Sequence, residues 1–349
     1  LGAKKASSFQ SGINGAKSGL QWISSTATKV AGLIGAAFGA IQIKDFVKES
    51  VDTFSDYEQS LANTAAIANA TQTEQEQLNE AAREAGKATT KTAKESADAL
   101  GYMALAGWNV KESTSALQPV LKLSAASNMD LATCSDLVTD SMSALKLQVK
   151  DLPEYLDMVT KAQNSSNMNS QQMMEAYIKA GGAARTLGVS AKDTGVALGI
   201  LANNGTKGAE GGTALNAMST RLGSNKNALS MMGALGISIF DAQGKFVGLE
   251  EALKRINKGV SGLSTEDQAK ALKEIAGTNY YSKMAYLLDG VKEGANGAKS
   301  AWDDLDKKLK NSDGSLEDMY NKQTNTLSAT REIMNSALDD LKISFSDSF

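Results

Sequence analysis

The chain has 349 residues, which is enough for two ordinary domains or for one extended helical array. Hydrophobic residues make up 42% of it and aromatic residues only 5%, while glycine and alanine are plentiful, so the composition favours closely packed helices over aromatic-rich cores. The net charge is −3, and the lysines are interspersed with acidic residues, so the sequence lacks the basic stripe typical of nucleic-acid binders. The absence of histidine excludes nucleophiles activated by histidine and metal sites built from histidine.

Residues 1–50 form a Gly/Ala-rich segment whose apolar spacing allows helices. Its most apolar part, Val30–Ile43, would span roughly 21 Å as a helix, short of the roughly 30 Å hydrocarbon core of a bilayer. A Gly-x-x-x-Gly spacing gives this part a small-residue stripe that allows close helix packing. The candidate contact residues here are Gly32, Gly35, Ala36, Gly39 and Ile43. We expect an oligomer-forming helix; a membrane-active segment and a signal-like remnant are the alternatives.

The next part of the chain predicts a series of short capped helices. Apolar residues recur at helical spacing over 44–70, and another helix is expected over about 73–86. Thr92-x-x-Glu95 is a capping box, in which each side chain satisfies a backbone donor of the first turn; its helix should end at Gly107. Asn109-x-x-Glu112 repeats the device for the following helix.

That following helix contains Pro119, which removes one backbone donor; because apolar spacing continues beyond it, we expect a kink rather than an end. Asp130 should cap a helix that runs to about residue 145, and Pro153 should stand in the first turn of the next. Cys134 lies among apolar residues at helical spacing and is interpreted as a small buried residue. A reactive or intermolecular thiol is the alternative.

The second half echoes the first at an offset of about 80 residues, since Gly188 is followed by a polar cap and an acidic residue much as Gly107 is. We interpret 81–165 and 166–292 as two loosely related halves of one helical domain over 51–292. Asn203–Gly212 is rich in glycine and is interpreted as a flexible structural loop. A phosphate-binding loop would need a strand before it, and none is predicted.

Ile237–Val247 has β character. Apolar residues alternate around the turn-forming Asp241–Gly244, which predicts a β-hairpin that leans on neighbouring helices because isolated hairpins are marginal in water. We expect the hairpin to be an exposed contact surface, with Ile237, Ile239, Phe240 and Phe246 as its candidate residues. The predicted fold class is therefore all-α, an extended multi-helix array of short capped helices with one small β-hairpin.

Further helices are expected at about 249–258, 265–276 and 279–290, before a charged helical segment over 293–349 with a turn at Asp313-Gly314. In this segment a run of apolar residues is spaced by seven, four, three and four positions, which indicates a coiled-coil seam. The seam comprises Leu327, Met334, Leu338, Leu341 and Phe345. It is short, so it supports oligomerisation without requiring it.

Catalytic and cofactor patterns are absent from the sequence. No two glycines stand two apart, so the dinucleotide fingerprint is missing, and no P-loop ends in Gly-Lys-Ser/Thr. With 39 acidic residues, some carboxylate pair of the kind that glycosidases use is always available. However, no such pair lies among apolar residues in the sequence, so none is identified as catalytic. We therefore expect no enzyme, no cofactor and no metal site, with cell-wall hydrolysis as the remaining alternative.

The order of several sequence blocks resembles the conserved central region of phage tail tape-measure proteins. The first block runs from Ala81 to Leu147 and contains Ala-Arg-Glu-Ala-Gly, Glu-Ser-Ala-Asp-Ala-Leu, Ala-Gly-Trp, Pro-Val-Leu-x-Leu-Ser-Ala-Ala and Asp-Leu-Ala. Residues 188–222 and 234–253 add a Gly-Thr-Ala-Leu step and an Asp-x-x-Gly turn, followed by Gly277-Thr and Leu287-Leu288. Each block alone is weak, but together they cover most of residues 50–290.

The resemblance implies a structural protein of a phage tail or tail-like particle. Such proteins lie in the tail lumen in several copies, template tail-tube assembly, set tail length and leave before the DNA passes. The implied partners are further copies of the chain, as a trimer in preference to a hexamer, and tail-tube and tail-tip or baseplate proteins. No specific nucleic-acid binding is expected, and a weak contact with passing DNA is the alternative.

The implied location is the virion tail lumen or tip, with the host cytoplasm during assembly. The alternative function is a membrane-inserting channel component that acts at genome ejection in the host envelope. The chain starts at Leu1 rather than Met, and we expect it to belong to something longer. Since it contains no long heptad array, the resemblance places the length-determining rod outside it.

Overall fold

The computed structural model describes residues 40–294 and 298–347, and within these ranges the fold is all-α, as predicted. The first helices are α1 (Ala40–Ile67), α2 (Gln72–Ala88), α3 (Ala93–Leu105), α4 (Val110–Ser127), α5 (Leu131–Leu145), α6 (Leu152–Gln163), α7 (Ser170–Leu187) and α8 (Ala191–Asn203). They are followed by α9 (Gly208–Ser224), α10 (Lys226–Ala234), α11 (Leu249–Val260), α12 (Thr265–Ala276), α13 (Tyr281–Gly290), α14 (Ala301–Lys310), α15 (Ser315–Thr324) and α16 (Leu327–Ser346). A 3₁₀ turn at Val149–Asp151 precedes α6.

The chain divides into two compact units. Of the described residues, those up to Leu121 and those from Thr324 onward form unit 1, and those from Lys122 to Gln323 form unit 2. The boundary between them lies within α4, which runs without a break through Pro119, as the apolar spacing predicted. The sequence segments 1–50, 51–292 and 293–349 follow chain order and do not coincide with these units, so they stay a prediction about domain organisation.

In unit 1, α3 packs against both α1 and α2, and α16 packs against α1 and α2. Thr64 Oγ1 on α1 donates a hydrogen bond to the Ala97 carbonyl on α3 at 2.8 Å. Gly101 makes this approach possible, because a Cβ there would lie 3.0 Å from Thr64 Oγ1. Phe46 on α1 meets Phe345 on α16 edge to face, with ring centroids 5.7 Å apart. The unit is thus closed by a helix from the far end of the sequence.

In unit 2, α8 forms the centre of the core. Its residues Thr194 to Ala202 are all buried, because α6, α7, α9, α13 and α14 surround it. A helix that is apolar on every side needs such an environment. Lys192 at the start of α8 also donates to Asp306 on α14 at 2.5 Å, and Lys310 lies 2.6 Å from the same carboxylate. Burial would raise the pKa of Asp306, but the two lysines outweigh burial and lower it.

Close helix approach in unit 2 depends on glycines. At Gly212 on α9, a Cβ would lie 2.8 Å from Ala176 Cα on α7 and closer still to the Ala176 carbonyl oxygen. At Gly181 on α7, a Cβ would lie 3.0 Å from the backbone of Ala144 on α5. In the stack of α5, α7 and α9, neighbouring helix backbones therefore approach each other directly at these glycines, without a side chain between them.

The predicted caps are present. Thr92 and Glu95 form a capping box at α3, with the Thr92 amide donating to the Glu95 carboxylate at 2.8 Å. Asp130 caps α5 through the Thr133 amide at 2.9 Å. Gly107 has φ +86° and Gly188 has φ +88°, so both adopt the left-handed conformation that follows a helix end. The helix starts at Thr92 and Asp130 and the helix ends at Gly107 and Gly188 were therefore predicted correctly from local signals.

Some helix ends are instead capped by side chains from distant helices. The Asp157 carboxylate on α6 accepts the amides of Gly314 and Leu316, at 2.9 and 2.8 Å, and so caps the start of α15. Arg221 on α9 donates to the carbonyl of Ile275 in the last turn of α12, at 3.1 Å. These contacts fasten α6 to α15 and α9 to α12 at defined positions along each helix.

One local prediction was wrong, and a second was confirmed only in part. Gly208–Gly212 is not loop but the first part of α9, and Gly208, Gly211 and Gly212 are buried there. The glycines are needed for close packing rather than for flexibility. The β-hairpin is also not formed as strands, since Ile237–Val247 contains a turn closed by one antiparallel bridge between Phe240 and Phe246. The bridge is too short to count as a sheet.

Candidate interaction surfaces

The side chains that can bind metals or act as nucleophiles are dispersed or buried in the described part of the chain. Over residues 40–294 and 298–347, no group of three or more acidic, cysteine or histidine side chains is placed to hold a metal. Cys134 is fully buried on α5. Tyr155 is buried as well and donates to Ser141 Oγ at 2.6 Å, and burial raises the pKa of its phenol well above the usual value. These groups serve packing.

The predicted small-residue stripe cannot be placed. Gly32, Gly35, Ala36 and Gly39 lie outside the described residues, and Ile43 lies in the part of α1 whose side chains are not described. Its proposed role in oligomer or membrane contact therefore stays a prediction. Within 40–294 and 298–347, no helix combines the length and the apolar character that crossing a bilayer requires.

The turn at Asp241–Gly244 contributes to a groove with α7 and α9. The Asp241 carboxylate accepts the amides of Gln243 and Lys245, at 3.0 and 2.8 Å, and so fixes the turn. Phe240 and Phe246 meet edge to face, with ring centroids 6.1 Å apart, and both are half-buried. They form one wall of the groove.

The other walls of the groove come from small and hydroxyl-bearing residues of α7 and α9. The groove has a volume of about 490 Å³, and its helical lining consists of Gly182, Ala183, Thr186, Leu187, Ser219, Thr220, Gly223 and Ser224. Among these residues, Ser219 is buried and its Oγ makes no hydrogen bond in the described structure. The lining carries no charge.

Ile237 and Ile239 do not form an exposed contact surface, which corrects the prediction. They are 8% and 2% exposed, and a Cβ on Gly259 of α11 would overlap the Ile237 side chain. The two isoleucines thus anchor the turn to the helices. Phe240 and Phe246 are the members of the predicted set that reach a surface.

α16 presents two stripes on opposite sides, each spaced by seven, four and three residues. The inner stripe is buried in unit 1 and consists of Ala329, Ser336, Asp340 and Ile343. The outer stripe consists of Leu327, Met334, Leu338 and Leu341, of which the first three are 81%, 56% and 45% exposed and the last is half-buried. The stripes are two residues apart in sequence, which is about 200° around a helix.

The predicted seam is therefore divided in this structure. Leu327, Met334 and Leu338 face solvent, but Phe345 is 4% exposed because it packs against Phe46. A seam in which all five apolar residues face one partner is not available while α16 occupies this position. Whether copies of the chain meet through the outer stripe stays a prediction.

The inner stripe is held by a charged cluster, which we name the clasp: Arg83, Lys87, Asp340 and Ser344. Arg83 Nε donates to Asp340 Oδ1 at 2.7 Å, and Arg83 also donates to Ser344 Oγ. Lys87 Nζ lies 3.5 Å from the second Asp340 oxygen. The hydrogen bond to Asp340 raises the pKa of Arg83 although burial opposes the shift.

The clasp was not predicted from the sequence. Arg83 belongs to the Ala-Arg-Glu-Ala-Gly block, but its partner Asp340 lies 257 positions later. The available signal was that Asp340 interrupts the apolar pattern near the end of α16. That signal does not identify a partner.

The chain is similar to known tail proteins over most of its length. The family described as phage-related minor tail protein matches residues 79–277, which is more than half of the chain. A tape measure protein of Pneumococcus phage Dp-1 is 28% identical over 304 residues, 87% of this chain and 26% of that protein. A probable tape measure protein of Escherichia phage P2 is 24% identical over 265 residues, 75% of this chain and 32% of that protein.

The chain thus spans about a quarter to a third of the length of these curated relatives. No solved structure matches it. The family match runs from the middle of α2 to the residue after α12 and so includes α7, α9 and the turn that form the groove.

Proposed function

Because the chain belongs to the phage-related minor tail protein family, we propose that it acts as a tape-measure component, which templates tail-tube assembly and sets tail length. The observation that carries the proposal is the similarity to the tape measure protein of phage Dp-1 over 87% of this chain. An array of short, capped helices suits a structural role. The site of action would be the tail lumen or tip.

The proposal is tested in the phage or tail-like particle that encodes the chain. We expect a stop codon early in this gene to abolish tails of uniform length, and expression of the intact gene from a plasmid to restore them, as measured by electron microscopy. Tails of normal number and length in the absence of the protein would refute the proposal.

We further propose that copies of the chain associate, with a trimer preferred to a hexamer. The candidate contacts are the N-terminal stripe and the outer stripe of α16. Light scattering on the chain with and without residues 1–50 measures the contribution of the first. Replacing Leu327, Met334 and Leu338 by glutamine measures the second.

A matched control exists for the outer-stripe variant, because Val51 on α1 is 51% exposed and apolar but lies outside the stripe. Val51→Gln should leave the mass of the oligomer unchanged. A monomer under all conditions would remove self-association from the proposal and leave symmetry to partner proteins.

The proposed partner proteins are those of the tail tube and of the tail tip or baseplate. The uncharged groove beside Phe240 and Phe246 is the candidate contact in unit 2. Co-purification of the chain with tagged tail-tip proteins, repeated with Phe246→Ser, tests this assignment. Equal recovery with both forms would exclude the groove as the contact.

The alternative function, membrane insertion at ejection, depends on Val30–Ile43. A dye-release assay with liposomes, comparing the chain with its Gly35→Leu/Gly39→Leu variant, separates insertion from helix packing. Absence of release in both forms would eliminate the membrane function.

A further inference from the structure

The orientation of α16 is the reverse of what its apolar pattern favours. A helix on a folded unit normally buries its apolar stripe and exposes the polar side. Here the buried inner stripe contains Ser336 and Asp340, whereas three large apolar residues of the outer stripe are exposed. Fully burying one such side chain is worth about 1.5–3 kcal/mol, so the hydrophobic effect alone would favour the opposite face.

Polar contacts hold the part of α16 that buries little apolar surface. The clasp joins it to α2, and Lys342 Nζ adds an ion pair with Glu49 on α1 at 3.3 Å. The large apolar side chains of α16 that are buried in unit 1 are Ile343 and Phe345, both near its end. Before them, α16 is attached through the buried Ala329 and Ser336, which bury little apolar surface, and through Ile333, whose side chain is half-buried.

We infer that α16 is a releasable helix. When the clasp opens, the whole of α16 separates from α1–α3, while the rest of the fold stays intact. The position of Phe345 gives release a structural consequence. On release, Phe345 parts from Phe46 and joins the outer stripe, and the five residues Leu327, Met334, Leu338, Leu341 and Phe345 then form one continuous seam. The docked position keeps that seam divided. The inference concerns unit 1 alone and does not depend on the proposed role in tails.

Hydrogen exchange detected by mass spectrometry on the intact 349-residue chain tests the inference. In the wild type, we expect amides in the middle of α16 to exchange at least tenfold faster than those in the middle of α2 and α3. Asp340→Asn removes the charge that Arg83 and Lys87 share and should accelerate exchange in α16 at least another tenfold. Exchange in α7 and α9 should not change.

The matched control is Asp304→Asn on α14. It removes the same charge from an ion pair with Lys308 whose members are 44% and 57% exposed, so it should leave exchange in α16 unchanged. The inference is overturned if α16 is as protected as α2 and α3 in the wild type. It is also overturned if Asp340→Asn has no effect beyond that of the control, or if it accelerates exchange in α1–α3 as much as in α16.

The wild-type comparison tests the inference independently of the Asp340→Asn result. That comparison needs no substitution, and equal protection of α16, α2 and α3 would contradict release by itself.

Discussion

Gly212 on α9 gives the sharpest test of how unit 2 is packed. We predict that Gly212→Ala destabilises unit 2, whereas Gly182→Ala on the neighbouring helix α7 stabilises it. A Cβ at Gly212 would lie 2.8 Å from both Ala176 Cα and Lys179 Cβ, and closer to the Ala176 carbonyl oxygen. A Cβ at Gly182 would meet nothing within 4 Å. Both positions are helical, so the backbone preference of alanine acts equally on the two.

The magnitude follows from these distances. Ordinary contacts between heavy atoms lie near 3.5–4.0 Å, so α7 and α9 would have to separate by about 1 Å. Overpacking of this kind costs about 1–3 kcal/mol, and the obstacle here is backbone that cannot rotate away. The higher helix propensity of alanine offsets about 1 kcal/mol of this cost, because glycine is less favourable than alanine by that amount in a helix interior. We therefore expect Gly212→Ala to lose about 2 kcal/mol and Gly182→Ala to gain up to about 1 kcal/mol.

Calorimetry of the two variants measures the difference. For a unit of this size, about 1 kcal/mol corresponds to about 2–4 °C in Tm, so the two variants should differ by about 6–12 °C. Equal Tm values, or a more stable Gly212→Ala variant, would refute the conclusion that glycine is required there for the contact of α9 with α7.

Three further predictions concern polar side chains of unit 2. Asp157→Ala removes the cap of α15 and should cost about 1–2 kcal/mol in chemical denaturation; an unchanged midpoint would show that the cap contributes nothing. Ser219→Ala removes a buried hydroxyl that makes no hydrogen bond and should stabilise unit 2 by about 1 kcal/mol, whereas destabilisation would indicate that the hydroxyl has a partner. The pKa of Asp306 is lowered in the fold, so its contribution is complete above about pH 4 and is lost as the pH falls through the folded pKa. Asp306→Asn should therefore lose about 1 kcal/mol at neutral pH and show a weaker loss of stability in acid than the wild type; parallel pH profiles would contradict this.

Local signals in the sequence predicted helix boundaries well. The Thr92 and Asp130 caps formed as predicted because their hydrogen bonds join residues three positions apart, and such bonds depend on little beyond the local backbone. Gly107 and Gly188 ended helices for the same reason, since the left-handed conformation favours glycine. All these features can be read without knowing the fold.

The glycines of 203–212 show where that reading fails. Glycine is used both where the backbone must be flexible and where two backbones must approach closely, because each situation requires the absence of a Cβ. The sequence does not distinguish the two uses. Only the position of Ala176 beside Gly212 identifies this stretch as part of a tightly packed helix.

The hairpin prediction was confirmed only in part, for a related reason. Alternating apolar residues indicate a strand when one face is buried against a sheet. Ile237 and Ile239 are buried, but against helices, and the bridge between Phe240 and Phe246 ends the pairing after one step. The alternating pattern thus correctly predicted that one side of this segment is buried. It incorrectly predicted a strand, because the buried side packs against helices.

The arrangement of α16 could not be predicted either, because the inner and outer stripes have the same spacing and the choice between them depends on Arg83, 257 positions before Asp340.

Helix ends explain why distant polar side chains matter so much in this fold. Each helix leaves several amides and carbonyls without partners at its ends, and an array of short helices contains many ends. Local caps satisfy some of them, but α15 takes its cap from Asp157 on α6, and α12 has its last turn bound by Arg221 on α9. Such contacts fix the position of one helix along another, which small apolar side chains alone would do weakly because they permit sliding. In a chain with few aromatic residues, polar contacts at helix ends therefore fix the position of each helix along its neighbour, and glycine and alanine allow the helices to pack closely.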